Sequence, residues 1–260
     1  LVKGFTALGL SNHGNTSGNV LHYDACKAAG IKPIMGVEGY FIPKWQEEHR
    51  GYHLCLFAMN LEGYRNINII QSKAELQKYY NPIIDFNILS EHCDGVICTS
   101  ACVASYSSQC ILKGEYEKCK KYLRKMKSIF GDNFYIEIQP YVVSEANMQE
   151  EVNRKLIEFA RQLKIKCILT SDSHRGRKED MDAYVKMHEL KNMNPDHIEH
   201  IRGTYAERYM PDLNDMAVRF VKMHGDDYGI KEARKLARSM NANLEELESN
   251  VSATLIDDLA

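Results

Sequence analysis

No C-x-x-C pair occurs anywhere in this chain, although it carries eight cysteines. Their scatter excludes zinc-finger spacing, and it does not form a small secreted disulfide framework either. Scattered thiols in a chain of this length predict a reduced, cytoplasmic setting. No apolar run approaches the roughly 20 residues that a membrane helix needs. No charged segment followed by an apolar one forms a leader, so no membrane partner is expected. An excess of one charge is also missing: 33 basic residues nearly balance 35 acidic ones, for a formal net charge of -2. That balance argues against a strong, non-specific grip on a DNA backbone. One locally positive cleft would still allow nucleic acid as a substrate. Low-complexity segments and fixed-period repeats are absent as well.

What the chain does have is 44% hydrophobic residues over 260 positions. That is enough for a real core, in one large α/β domain or a domain with an appendage. The chain opens in mid-element on "LVKGFTALGL" without a Met, which predicts a missing N-terminal piece. Short apolar runs alternate with amphipathic stretches. Strands are predicted over 5–11, 32–42, 52–59, 95–101, 134–140 and 166–172, and helices over 17–30, 62–76, 115–131 and 144–164. In the last helix Val152, Leu156, Ile157, Ala160 and Leu163 recur at helical spacing, with Ser144 as its predicted cap. Such alternation implies βα units and a mainly parallel sheet, open or barrel-shaped, with functional groups at the carboxyl ends of strands. From residue 206 the chain turns charged and helical, predicting a domain over 1–205 and a helical extension over 206–260 that leads out of it.

Four predicted strands end on metal-binding side chains. "FTALGLSNHG" ends in His13, "PIMGVEGY" carries Glu38, "VICTSAC" ends in Cys102, and "CILTSDSH" ends in Asp172 and His174. Imidazole, carboxylate and thiolate are the groups that bind zinc, manganese or iron. Each has a plainer reading: a turn residue for His13, a solvated carboxylate for Glu38, a small buried hydrophobe for Cys102, a helix cap for Asp172. Their joint recurrence favours a shared metal site. His53 begins its strand, so pattern leaves it as core or surface. Arg175 is either a phosphate contact or a solvated arginine. His197 and His200, three apart, read as a solvated helix or loop, and His22, His49, His92, His188 and His224 as structural or surface residues.

These residues also carry a resemblance. "ALGLSNHGNTSG" followed by "ACKAAGIKPIMGVEGY" resembles the PHP (polymerase and histidinol phosphatase) domain. More narrowly, it resembles the PHP domain at the N-terminus of bacterial replicative DNA polymerase III alpha subunits. "YHLCLFAMNLEGYRNINIIQSKA", "SEHCDGVICTSACVAS", "IFGDNFYIEIQ" and "TSDSHR" stand in that subfamily's order, over roughly 1–185. The resemblance implies an α/β fold, a distorted (βα)7 TIM-like barrel, with a divalent metal cluster of up to three ions at its C-terminal face. Carried over by motif, the implied ligands are His13, Glu38, His53, Cys102, Asp172 and His174, with Asp172 and His174 also catalytic. His53 is thereby promoted. The chain departs from the family at Asn12, where an Asp is usual, and at Ala101, where Gly is common. Asn12 is expected to tune His13 by hydrogen bonding. The family's H-x-H strand and a following Asp precede residue 1, leaving six of nine ligand positions.

The implied chemistry is metal-dependent phosphoester hydrolysis. On DNA this is 3′-5′ exonucleolytic proofreading at the primer end, beside the polymerase of the parent subunit, with DNA and other replisome subunits as partners. One alternative is an inactive PHP module that stabilises the polymerase or docks an exonuclease. Another is a free-standing phosphatase like histidinol phosphatase.

Overall fold

Strands and helices mostly alternate from Ala7 to Leu169, and helices alone follow. The computed structural model describes residues 5–43, 51–78, 80–141, 148–190, 194–211 and 213–253. In chain order the elements are β1 (Ala7–His13), α1 (Asn19–Ala29), β2 (Lys32–Phe41), β3 (Tyr52–Ala58), α2 (Leu61–Leu76), β4 (Ile83–Ile84), α3 (Phe86–Glu91), β5 (Val96–Thr99) and α4 (Tyr106–Leu112). There follow α5 (Tyr116–Phe130), β6 (Phe134–Ile138), α6 (Met148–Leu163), β7 (Lys166–Leu169), α7 (Met181–Glu189), α8 (Pro195–Thr204), α9 (Leu213–Tyr228) and α10 (Ile230–Ser249).

Local chemistry explains several boundaries. The Asn60 side chain accepts from the Gly63 amide at 2.9 Å and starts α2. Asp85 accepts from the Asn87 and Ile88 amides and starts α3, and Ser105 accepts from Ser108 to start α4. Gly63 is there for space: a Cβ at that position would lie 1.8 Å from the Gly95 carbonyl oxygen. In α6, Val152, Leu156, Ile157 and Ala160 are buried as their spacing predicts. The predicted cap, Ser144, lies outside the described residues.

All seven strands join one sheet in the order β1-β2-β3-β5-β6-β7, with β4 pairing β2 off that path. The sheet is mainly parallel and curls into a half-barrel, with helices packed around it. β3 departs from the parallel expectation, running antiparallel to both β2 and β5. Only residues 42–51 separate β2 from β3. A parallel return needs a crossover of roughly a dozen residues or more, usually with a helix, so the short connection turns the chain straight back. This reversal carries the amino end of β3 to the rim where β2 and β5 place their carboxyl ends.

Among the described residues β1 and β7 do not pair with each other. α10 lies across this open side. Asn243 donates to the Cys167 carbonyl at 2.7 Å, Lys32 donates to the Glu248 carbonyl at 2.8 Å, and Lys166 pairs with Glu246. A cavity of about 740 Å³ opens between β1, β7 and α10, apolar at Leu8, Ile34 and Leu247 and polar at the rim.

Candidate metal centre

Three ligand-type side chains meet at the rim. β1 and β2 are in register with His13 opposite Glu38, and β2 and β3 with Tyr40 opposite His53. His13 Nδ1 lies 3.1 Å from Glu38 Oε2, and His53 Nδ1 lies 2.5 Å from Glu38 Oε1. One ligand atom from each residue falls within 4.8 Å of the others, and this is the one such group of three or more among the described residues. The Glu38 side chain is only 8% exposed. Burial pushes its carboxyl up, but the His53 hydrogen bond and the charges of His53, His13 and His174 outweigh that and hold it below the usual range. A carboxylate kept ionised between two imidazoles suits a divalent cation.

The other sequence-predicted residues border the same centre. Cys102 Sγ lies 3.4 Å from His53 Nδ1 and 4.0 Å from Glu38 Oε1. Burial first, then the charges of Asp172 and Glu38, push its thiol well above the usual value. Cys102 is therefore held as a thiol, and a cation would have to displace its proton to bind the sulfur. His174 stands across from His13, their ring centroids 6.2 Å apart, and Asp172 lines the same cavity. Burial lowers the His174 pKa against the raising charge of Asp172. Two rim residues hold left-handed backbone, Ala101 at φ 56° and Asp172 at φ 46°. The nitrogen and oxygen donors of His13, Glu38 and His53, converging from three strands, could hold a divalent ion.

Several residues do not behave as the sequence suggested. The Arg175 guanidinium, read as a phosphate contact or solvated, donates to the Tyr205 and Ala206 carbonyls. That clamp docks residues 205–210 alongside His174 and Arg175. The His174 amide donates to the Arg208 carbonyl at 2.9 Å, and the Met210 amide to the Arg175 carbonyl at 3.1 Å. Asn12 forms no hydrogen bond with an imidazole among the described residues. Its amide lies over Gly18, where an added Cβ would be 2.5 Å from Asn12 Nδ2.

Two further residues escaped the sequence reading. Glu137 on β6 lines the cavity and accepts from Thr99, from Thr170 at 2.5 Å and from Gln139 at 3.1 Å. Burial raises its carboxyl despite those three donors. The one available signal was an acidic residue inside an apolar strand, "FYIEIQ". Arg208, which no local pattern marks, places Nη1 2.6 Å from Asp172 Oδ2.

The comparisons agree with this geometry. The family model described as PHP domain matches residues 2–141. DNA polymerase III subunit alpha of Treponema pallidum is 37% identical over 189 residues, covering 69% of this chain and 16% of that protein. The subunit of the same name from Borreliella burgdorferi is 35% identical over 184 residues, covering 68% of this chain and 16% of its own. That of Thermus aquaticus is 33% identical over 248 residues, covering 92% of this chain and 20% of its own. The chain thus spans 16–20% of the length of these relatives. A half-barrel with a His-Glu-His group at its rim, and a family match over most of the strands that build it, lead to one conclusion: the chain belongs to the PHP domain family.

Proposed function

We propose that this chain is the PHP module of a DNA polymerase III alpha subunit and that its rim is a divalent metal centre for phosphoester hydrolysis. The observation that carries this reading is the meeting of His13, Glu38 and His53 within 4.8 Å. Cys102, Asp172 and His174 complete the set, on the strand ends of a distorted (βα)7 barrel with residues 206–260 as its helical extension. The ions, zinc, manganese or iron, would supply an acidified water and a clamp for phosphate oxygens. The chain's own residues do the rest. Glu38 supplies negative charge and orients both imidazoles. His13 and His53 offer neutral nitrogens, and Cys102 a thiolate once its proton is displaced. His174, its proton affinity lowered by burial, stays neutral near pH 7 and offers a third imidazole nitrogen.

The substrate in this reading is the 3′ end of a primer strand, and the partners are DNA and other replisome subunits. Elemental analysis with a 3′ exonuclease assay tests it, on the wild type and on His13→Ala and His53→Ala. Both variants should lose ion and activity together. If wild type binds ions but releases no nucleotide from a primed template, the module is a scaffold and not a nuclease. If both variants retain the full ion content, the assignment of the centre is wrong.

A further inference from the structure

Glu137 lies on β6, between the two strands whose exits carry Cys102, Asp172 and His174. β6 pairs in parallel with β5 on one side and with β7 on the other. The Glu137 carboxyl reaches both neighbours. Its Oε1 accepts from the Thr99 hydroxyl, and its Oε2 accepts from the Thr170 hydroxyl at 2.5 Å and from the Gln139 amide at 3.1 Å. Glu137 is 7% exposed and Thr99 1%, so water competes little for these bonds. The tie also survives protonation of the carboxyl, since a threonine hydroxyl accepts as well as donates.

The two threonines occupy equivalent places. Two residues after Thr99 comes Ala101 at φ 56°, and two residues after Thr170 comes Asp172 at φ 46°. Cys102 directly follows the first of these left-handed residues, and His174 stands two positions after the second. Left-handed backbone is costly for a residue with a Cβ, and it persists where the surrounding structure over-determines it. Main-chain bonds lead up to both turns: the Ser100 amide donates to the Tyr135 carbonyl, the Thr170 amide to the Ile138 carbonyl, and the Glu137 amide to Ser100 Oγ. We propose that Glu137 is the positioning residue that ties these two turns together and holds Cys102 toward the same centre as Asp172 and His174, a reading that rests on the metal-centre assignment above. A carboxyl group suits the task because its two oxygens, held at a fixed separation, engage partners on two sides at once.

The test is zinc binding at equilibrium dialysis by wild type, Glu137→Gln, Glu137→Ala, Thr170→Val and His174→Ala, each checked for folding by circular dichroism. His174→Ala marks the part of the isotherm that depends on this side of the centre. Glu137→Ala unties both turns and should weaken that part about 10-fold, the low end of what loss of a partner behind a metal ligand costs. Glu137→Gln still offers one acceptor and one donor to the two threonines, so it should bind more like wild type than like Glu137→Ala. That rescue separates placement from charge. A Glu137→Gln as weak as Glu137→Ala shows that the carboxylate acts by its charge or by holding an ion itself, and overturns the inference. A folded Glu137→Ala that binds like wild type, beside a His174→Ala that does not, overturns it too and leaves the metal centre standing. Should Glu137→Ala fail to fold, Thr170→Val, which cuts one arm with little change of shape, decides: weaker zinc binding supports the inference and unchanged binding overturns it. Wild-type binding by His174→Ala removes this side from the centre and ends the inference, with His13, Glu38 and His53 unaffected. If wild type itself holds no zinc, the metal-centre reading falls and this inference with it.

Discussion

Glu38 is the residue on which ion binding should depend most, and Glu38→Gln is the perturbation that isolates it. The amide has nearly the same shape and still reaches both imidazoles, so the substitution removes charge more than volume. Loss of a hydrogen-bonding partner behind a metal ligand typically weakens affinity by about 10–100-fold. Glu38 is a proposed ligand itself and contacts both histidines, so the upper end, about 100-fold, is expected. The consequence is readable as stability. At an ion concentration of about 100 times Kd, binding stabilises the folded state by about 2.7 kcal/mol, and a site 100-fold weaker gains only about 0.4 kcal/mol. For a chain of this size each kcal/mol moves Tm by roughly 2–4 °C. Zinc should therefore raise the wild-type Tm by roughly 5–10 °C and that of Glu38→Gln by about 1 °C. The assay is a thermal melt of each protein with and without zinc, referenced to its own ion-free Tm. Equal zinc-induced shifts in the two proteins would show that Glu38 holds no ion.

Backbone strain and pH give two more tests. Ala101 is 4% exposed and holds φ 56°. A β-branched residue there adds strain and crowding, so Ala101→Val should cost about 3 kcal/mol in denaturant unfolding. Ala101→Gly should stay within about 1 kcal/mol, because relief of strain is offset by the lost methyl burial and added chain freedom. A Val variant as stable as wild type would contradict the left-handed turn. In the ion-free protein, burial depresses His174 below its ordinary 6.5. The unfolded chain then takes up that proton first, so stability is full above 6.5 and declines as pH falls below it, by up to about 1.4 kcal/mol per pH unit. His22 is shifted in the same direction by burial, while the Glu38 contribution is lost only below 4.5. His174→Asn should flatten the first part of this slope, as read from denaturant midpoints between roughly pH 6.5 and 5. An unchanged slope would remove His174 from the account.

Much of the architecture was legible because apolar periodicity is local. The six predicted strands all form, each within a few residues of its expected bounds, and so do the four predicted helices. β4, α3 and α4 were missed because each is only two to seven residues long, too short for a period to register. Residues 181–189 and 195–204 lacked a decisive pattern and fold as α7 and α8. At the rim, His13, Glu38, Cys102, Asp172 and His174 could be read from position, because parallel strands deliver their carboxyl ends to one side.

The amino-acid order by itself determined where strands and helices fall, that a substantial core forms, and which side chains end the parallel strands. Those outcomes depend on neighbours a few positions apart. Tertiary structure alone decided that β3 runs backwards, bringing His53 from a strand's first residues to Glu38. It also decided that Glu137 faces the cavity and that Arg208, 36 positions away, meets Asp172. Such meetings depend on how connections fold back and which faces pack. Charge and distance across the sheet set their chemistry, and no local repeat in the chain encodes either.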